Sequence, residues 1–165
     1  MISRKVESAI NSQINKEFYS NYLYLAMAAH FESANLKGFG HWLRIQAGEE
    51  AGHGMKLYDY LLERGGKIVL EKLDAPPSSW KSHVKIFEDA YQHEQKVTKL
   101  ITGLFELAKS EKDHATEVFL QWFIKEQVEE EASALAILEK LKLIGSEGSA
   151  ILMLDADLGK RASSK

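Results

Sequence analysis

Six side chains in this 165-residue sequence could do chemistry together: Glu17, Glu50, His53, Glu94, Gln127 and Glu130. Each interrupts an apolar series at helical spacing. Val6, Ile10 and Ile14 lead to Glu17, and the series resumes at Tyr24 and Phe31. Leu43 precedes Glu50 and His53, with Leu57 and Leu61 beyond. Phe87 and Tyr91 lead to Glu94, then Val97, Ile101 and Phe105. Phe119 and Phe123 lead to Glu126 or Gln127 and then Glu130, followed by Ala134, Ile137 and Leu141. A carboxylate on the buried face of a helix is costly unless it is paired or bound to a cation. Hard carboxylate oxygens with one imidazole suit iron or manganese better than copper or structural zinc. Glu50 and His53, three apart, share one helix face and aim at one point. Singly these signals are weak, since a helical glutamate is usually solvated and an E-x-x-H pair arises often by chance. His30, His41, His83, His93 and His114 read as surface or internally satisfied histidines, and Tyr24 as core. Four series that fail at one level read as a metal site.

The elements that must hold these residues follow from apolar spacing and stop signals. A first helix is predicted from about Ser3 to Asn35 and a second from about Gly38 to Arg64, ended by Gly65-Gly66. A third spans about His83 to Ser110. The fourth runs from about Asp113 to Ile144, stopped by Gly145. A short fifth begins near Ser146 and carries Ile151, Leu154 and Leu158 on one side. The first and third links are only a few residues long, so each joins an antiparallel hairpin. The stretch 65–82 holds the only two prolines, Pro76 and Pro77, and has no helical period. At about 3.3 Å per residue it reaches roughly 59 Å, more than the roughly 42 Å length of the third helix, so it can cross the whole bundle. Reflected through its hairpin turn, Glu17 falls within roughly 9 Å of the height of Glu50, and Glu94 lies level with Glu130. The expected fold is an all-α four-helix bundle with a long crossover and a short fifth helix, one domain over residues 1–165.

Composition narrows the function. A formal net charge of −3 gives no reason to expect nucleic acid or an anionic membrane as partner. No apolar run reaches the roughly 18 residues of a membrane span. With no cysteine there is no disulfide, thiolate metal site or thiol nucleophile. The N-terminal residues enter an amphipathic pattern directly, without a signal-peptide apolar region, so a cytoplasmic location is expected.

The residues above resemble the ferritins, and among them the haem-free bacterial kind, over essentially the whole chain; four long helices with one crossover is also the connectivity of that fold. The resemblance implies a ferroxidase centre in which one iron sits with Glu17, Glu50 and His53, and a second with Glu50, Glu94 and Glu130. It implies that Gln127 lies behind the ligands or positions the oxygen intermediate, and that Tyr24 is the tyrosine beside the centre. Glu49, Glu126 and Glu129, with Glu130, match the nearby third iron site of the bacterial branch. The implied activity is oxidation of iron(II) by dioxygen, with storage of ferric mineral in a homo-oligomeric cage of 24 subunits and the fifth helix at the four-fold axis. Where bacterioferritin-like chains carry a second E-x-x-H, this sequence has Gln127-Val128-Glu129-Glu130, and Ala51 replaces their haem-binding methionine, so no haem is expected. Rubrerythrin-like chains need cysteines, and mini-ferritins lack a fifth helix. A non-storage di-iron oxidase or peroxidase is the alternative enzyme, and a bundle whose polar layer only fixes register is the alternative without activity. Gly48, Gly52 and Gly54 each cost about 1 kcal/mol against alanine in a helix interior. Gly48 and Gly52 point away from Glu50, which suits either drift at tolerant positions or close approach of a second subunit.

Overall fold

In a computed structural model, described over residues 2–162, the chain forms five helices: α1 (Arg4–Ser33), α2 (Lys37–Glu63), α3 (His83–Ser110), α4 (His114–Ile144) and α5 (Gly148–Leu158). The cap residues explain the starts. The hydroxyls of Ser3 and Ser82 accept from the backbone N–H groups of Val6 and Lys85, and the Asp113 carboxylate accepts from Thr116 N–H, each satisfying an otherwise orphan donor. The fourth helix therefore starts one residue after Asp113, which is its cap. The fifth starts at Gly148, later than predicted. Gly145, with φ of 62°, caps α4 in a conformation that favours glycine, and the chain turns through Ser146 and Glu147 before helix resumes.

Short links make α1 with α2 and α3 with α4 the tightly packed pairs. Residues 64–82 run alongside α1 as the crossover. Asn11 and Asn15 hold this segment like a strand partner: Asn11 donates to the Lys67 carbonyl at 2.8 Å and accepts from Val69 N–H at 2.7 Å. Asn15 repeats the pattern on Val69 and Glu71 at 3.0 and 2.8 Å. Further on, Trp80 stacks edge-on against His30 near the other end of α1 and donates to Asp89. The two asparagines thus satisfy backbone groups of Lys67, Val69 and Glu71 in an otherwise irregular segment.

The apolar interior falls into two parts. One gathers Leu23, Met27, Phe31, Phe39, Leu43, Phe87, Ile137 and Leu141, with Leu154 and Leu158 of α5. The other gathers Val6, Ile10, Ile14, Leu57, Leu61, Val97, Ile101, Leu104, Leu120 and Phe123. Between them lie the buried polar side chains of Glu17, Glu50, His53, Glu94, Gln127 and Glu130. Helix α5 docks on the start of α2, where the Asp155 carboxylate accepts from Phe39 N–H at 2.9 Å. A Cβ at Gly38 would fall 1.7 Å from the Asp155 carbonyl oxygen, so glycine is required for this approach. Ile151, expected on the same face as Leu154 and Leu158, is only half-buried.

Candidate metal centre

The polar layer is built from all four long helices. Ligand atoms of Glu17, Glu50 and His53 lie within 4.8 Å of one another, as do those of Glu50, Glu94 and Glu130, so Glu50 belongs to both groups. A third group joins His53, Glu126 and Glu130 within the same distance. His53 Nδ1 is 3.8 Å from a Glu50 oxygen and its Nε2 3.9 Å from one of Glu126, while the ring edge meets Trp122 and Phe123. The imidazole thus faces the first group with one nitrogen and the third with the other.

Around the carboxylates stands a ring of amide and hydroxyl donors. Gln13 donates to Glu17 Oε1 at 2.7 Å. Gln46 donates to Glu50 Oε1 at 3.1 Å and also to Glu130. Gln127 donates to Glu94 Oε2 at 3.1 Å and the Tyr24 hydroxyl donates to Glu94 Oε1. These bonds fix orientations without neutralising charge. Among the described residues no lysine or arginine pairs with Glu17, Glu50, Glu94 or Glu130, and Glu17 Oε2 is buried without a hydrogen-bond partner. Burial first, and then the Glu50 carboxylate, hold the Glu17 pKa well above the usual carboxylate range. Burial, Glu94 and Glu130 do the same to Glu50. Burial raises Glu94 as well, and burial with the Glu94 charge pushes Glu130 up to about 8. Burial and the Glu94 charge also hold the Tyr24 hydroxyl in its neutral, donating form. Oxygen donors that repel one another and share no internal cation suit a bound cation, whose charge reverses each of these shifts.

The outer acids are placed differently. Glu126 is half-buried beside His53, and Glu129 is exposed on α4. Glu49 accepts from Arg161 Nη2 at 2.5 Å. Glu49, His53 and Glu126 share the wall of a surface groove of about 790 Å³, with Gly48 and Gly52 in its lining. Both glycines have open space where a Cβ would stand, whereas a Cβ at Gly54 would lie 3.0 Å from the Phe18 ring and 3.4 Å from Glu17 Cβ. Gly54 therefore allows α1 to approach α2 at the level of the centre, and only Gly48 and Gly52 face outward.

Gln13, Gln46 and Arg161 are not among the sequence candidates. For the glutamines a signal exists, since each stands four residues before a site glutamate and so on the same helix face. Arg161 carries no local pattern at all. Of the other histidines, His93 shares a 2.7 Å hydrogen bond with Ser20 and His114 one of 2.9 Å with Glu117, whereas His83, expected at the surface or internally satisfied, stacks on Phe31 with its buried Nδ1 unpartnered.

Comparison with known proteins gives the family. Residues 7–144 match the family model described as Ferritin: Ferritin-like domain. The chain is 44% identical over 161 residues to a protein of Bacteroides fragilis named bacterial non-heme ferritin, covering 98% of this chain and 100% of that one. It is 41% identical over 155 residues to the bacterial non-heme ferritin of Campylobacter jejuni, covering 94% of this chain and 93% of that one. An open-pore ferritin from the hyperthermophilic archaeon Archaeoglobus fulgidus superposes with a TM-score of 0.97 at 53% identity, covering 98% of this chain and 100% of that one. With its crossover, its fifth helix and its carboxylate layer alike, the chain belongs to the ferritin family.

Proposed function

We propose that this chain is a ferroxidase subunit of an iron-storing ferritin that acts in the cytoplasm. Iron(II) is its substrate, held by Glu17, Glu50 and His53 at one position and by Glu50, Glu94 and Glu130 at a second. Each iron(II) gives up one electron and dioxygen accepts them. The ferric product passes to mineral inside a hollow homo-oligomeric shell of 24 subunits. The observation that carries this reading is the set of four buried carboxylates with no lysine or arginine partner among the described residues. Such a layer is expensive as a register device, because uncompensated buried charge destabilises a bundle, and it suits a site whose cation arrives from outside.

The chain's own residues supply three things. The carboxylates offset the positive charge of the substrate, and their raised proton affinity means that binding releases protons near neutral pH. Gln13, Gln46 and Gln127 keep the carboxylate oxygens turned inward, and Tyr24 holds Glu94 with its hydroxyl proton. The apolar clusters on either side limit water access and keep the ligands rigid. A third iron position is assigned to Glu49, Glu126, Glu129 and Glu130, supported by the ligand atoms of His53, Glu126 and Glu130 lying close together. Haem has no part in this reading.

Anaerobic iron(II) titration of the purified protein, then air exposure and size-exclusion chromatography, tests the proposal. Two or more iron ions per subunit, rapid oxidation and a shell of roughly 450 kDa retaining ferric iron are expected, the size following from 24 subunits of 18.6 kDa. Oxidation by a small oligomer that retains no ferric iron would point to a non-storage di-iron oxidase instead.

A further inference from the structure

Arg161, three residues beyond the end of α5, is a fixed cation at the centre's outer edge. Its guanidinium lies over the Trp42 ring, 4.3 Å from the ring centroid. Nη1 donates to the Trp42 carbonyl at 3.3 Å and to Gln46 Oε1 at 3.0 Å, and Nη2 donates to Glu49 Oε2 at 2.5 Å. His41 Nε2 lies 2.8 Å from the Arg161 carbonyl oxygen, so the backbone is held as well as the side chain. The ion pair is largely shielded, with side-chain exposures of 22% for Arg161 and 17% for Glu49. Upstream, α5 is anchored to α2 through Asp155. One guanidinium therefore spans the C-terminal segment, the second helix and, through Gln46, the carboxylates of Glu50 and Glu130.

We propose that Arg161 is a resident counter-ion for Glu49, so that a third metal ion binds there only when the guanidinium and the segment after α5 are released. The inference rests on the reading of the layer as a metal centre. A single charge-assisted hydrogen bond from Nη2 engages the Glu49 carboxylate from one side, and the same carboxylate must turn toward His53 and Glu126 to complete a cation's shell. The guanidinium also repels an incoming cation at short range. Both effects make Arg161 and the third metal ion competitors for Glu49, and the competition is reciprocal: binding of the metal weakens docking of the segment by the same factor. Arg161 also accounts for the orientation of Gln46. With Oε1 taken by the guanidinium, Nε2 is left to face Glu50 and Glu130. Arg161 is accordingly a positioning residue, acting on metal only through Glu49 and Gln46.

The test is cobalt(II) titration of the assembled protein, which has no redox step, followed by calorimetry and visible absorption. In the wild-type protein two cobalt ions per subunit are expected to bind tightly and a third weakly. Arg161→Gln is expected to tighten the third by a factor within the roughly 5- to 150-fold range usual for coupled sites, with particle size unchanged. Glu49→Gln added to it should abolish the gain. A second measurement needs no variant: amide exchange at Gly159, Lys160 and Arg161, whose N–H groups are hydrogen-bonded to the end of α5, should accelerate between two and three equivalents of cobalt. Third-site affinity unchanged in Arg161→Gln, or protection of those amides unchanged on filling the third site, overturns the role of Arg161 while leaving the paired centre intact. Failure of the wild-type protein to bind any cobalt overturns the metal-centre reading and this inference with it.

Discussion

Two charged regions of this bundle are handled in opposite ways. Near the C-terminal end of α2, Arg64 forks onto the Asp113 carboxylate at 2.9 and 3.2 Å, and Thr116 and Tyr60 complete the network. Burial there raises the proton affinity of Asp113, but hydrogen bonds from Arg64 and Thr116 outweigh it, so its carboxyl titrates below the ordinary range. In the mid-bundle layer four carboxylates stand together with amide donors and, among the described residues, no guanidinium or ammonium, and every one is shifted upward. Asp113 caps a helix and closes a hairpin, so its cation belongs to the fold. Under the proposed function the central glutamates lack one because theirs arrives as the substrate.

The largest expected effect separates the two regions by function. Glu50→Ala removes the one residue common to both metal groups and should lower the rate of iron(II) oxidation by roughly two orders of magnitude or more. Stopped-flow absorbance at saturating iron measures it, and a wild-type rate would break the assignment. Stability should move the other way. In the metal-free protein Glu50→Gln replaces a repelled buried carboxylate with a neutral side chain of the same shape, so thermal unfolding at pH 8 should shift upward. Arg64→Ala leaves Asp113 without its partner and should lower stability by about 1–3 kcal/mol with oxidation rate unchanged, read by denaturant unfolding and stopped flow together.

The comparison also fixes a pH dependence. Glu130 has an unfolded pKa near 4.5 and a folded value of about 8, the other central glutamates being raised as well. Between those values the folded state binds the extra proton, so this contribution to the stability of the metal-free protein is fully present below pH 4.5 and is lost as the pH rises toward 8. Redox-inert cobalt should reverse the slope, because the cation favours the ionised carboxylates. Thermal unfolding from pH 5 to 8, with and without cobalt, checks this. A metal-free protein that grows more stable over that range would contradict the account of the layer. Asp113 gives the opposite sign lower down, its contribution present above the unfolded value of 3.8 and lost as the pH falls below it.

Much of this is legible in the sequence because period and punctuation agree. The third helix is predicted at about its observed limits, His83–Ser110, since helical apolar spacing runs between them with one break at Glu94. The polar breaks are visible for the same reason, each falling at the position where the next buried apolar residue should be. Gln13 and Gln46 are harder to find because an amide on a buried face reads as neutral, although each has a four-residue spacing from a glutamate. Arg161 cannot be found from its neighbours in sequence, since its partners Trp42, Gln46 and Glu49 are brought to it only by the docking of α5. The fate of Glu49 follows the same logic. The family resemblance implies a metal ligand, but a tertiary ion pair engages its carboxylate in the structure.

The smallest expected effect asks how far the demands of the central layer reach into the backbone. Gly48 and Gly52 have open space where a methyl group would stand, so alanine at either should add about 1 kcal/mol of helix stability to the metal-free protein without altering oxidation. Gly54 lies one residue from His53 and beneath Glu17, where an added Cβ would meet the Phe18 ring at 3.0 Å and Glu17 Cβ at 3.4 Å. The same helical gain is then opposed by pushing α1 outward. Phe18 is half-buried and can shift by a few tenths of an ångström, so the net change in stability from Gly54→Ala should be under about 1 kcal/mol. The Glu17 carboxylate moves with α1, however, and cobalt affinity at the position shared by Glu17, Glu50 and His53 should fall severalfold. Calorimetric titration of the three single variants gives the answer. If Gly54→Ala binds cobalt as tightly as Gly48→Ala and Gly52→Ala, the close approach of α1 to α2 serves packing alone, and the contrast between a structural and a substrate-directed region does not extend to the backbone.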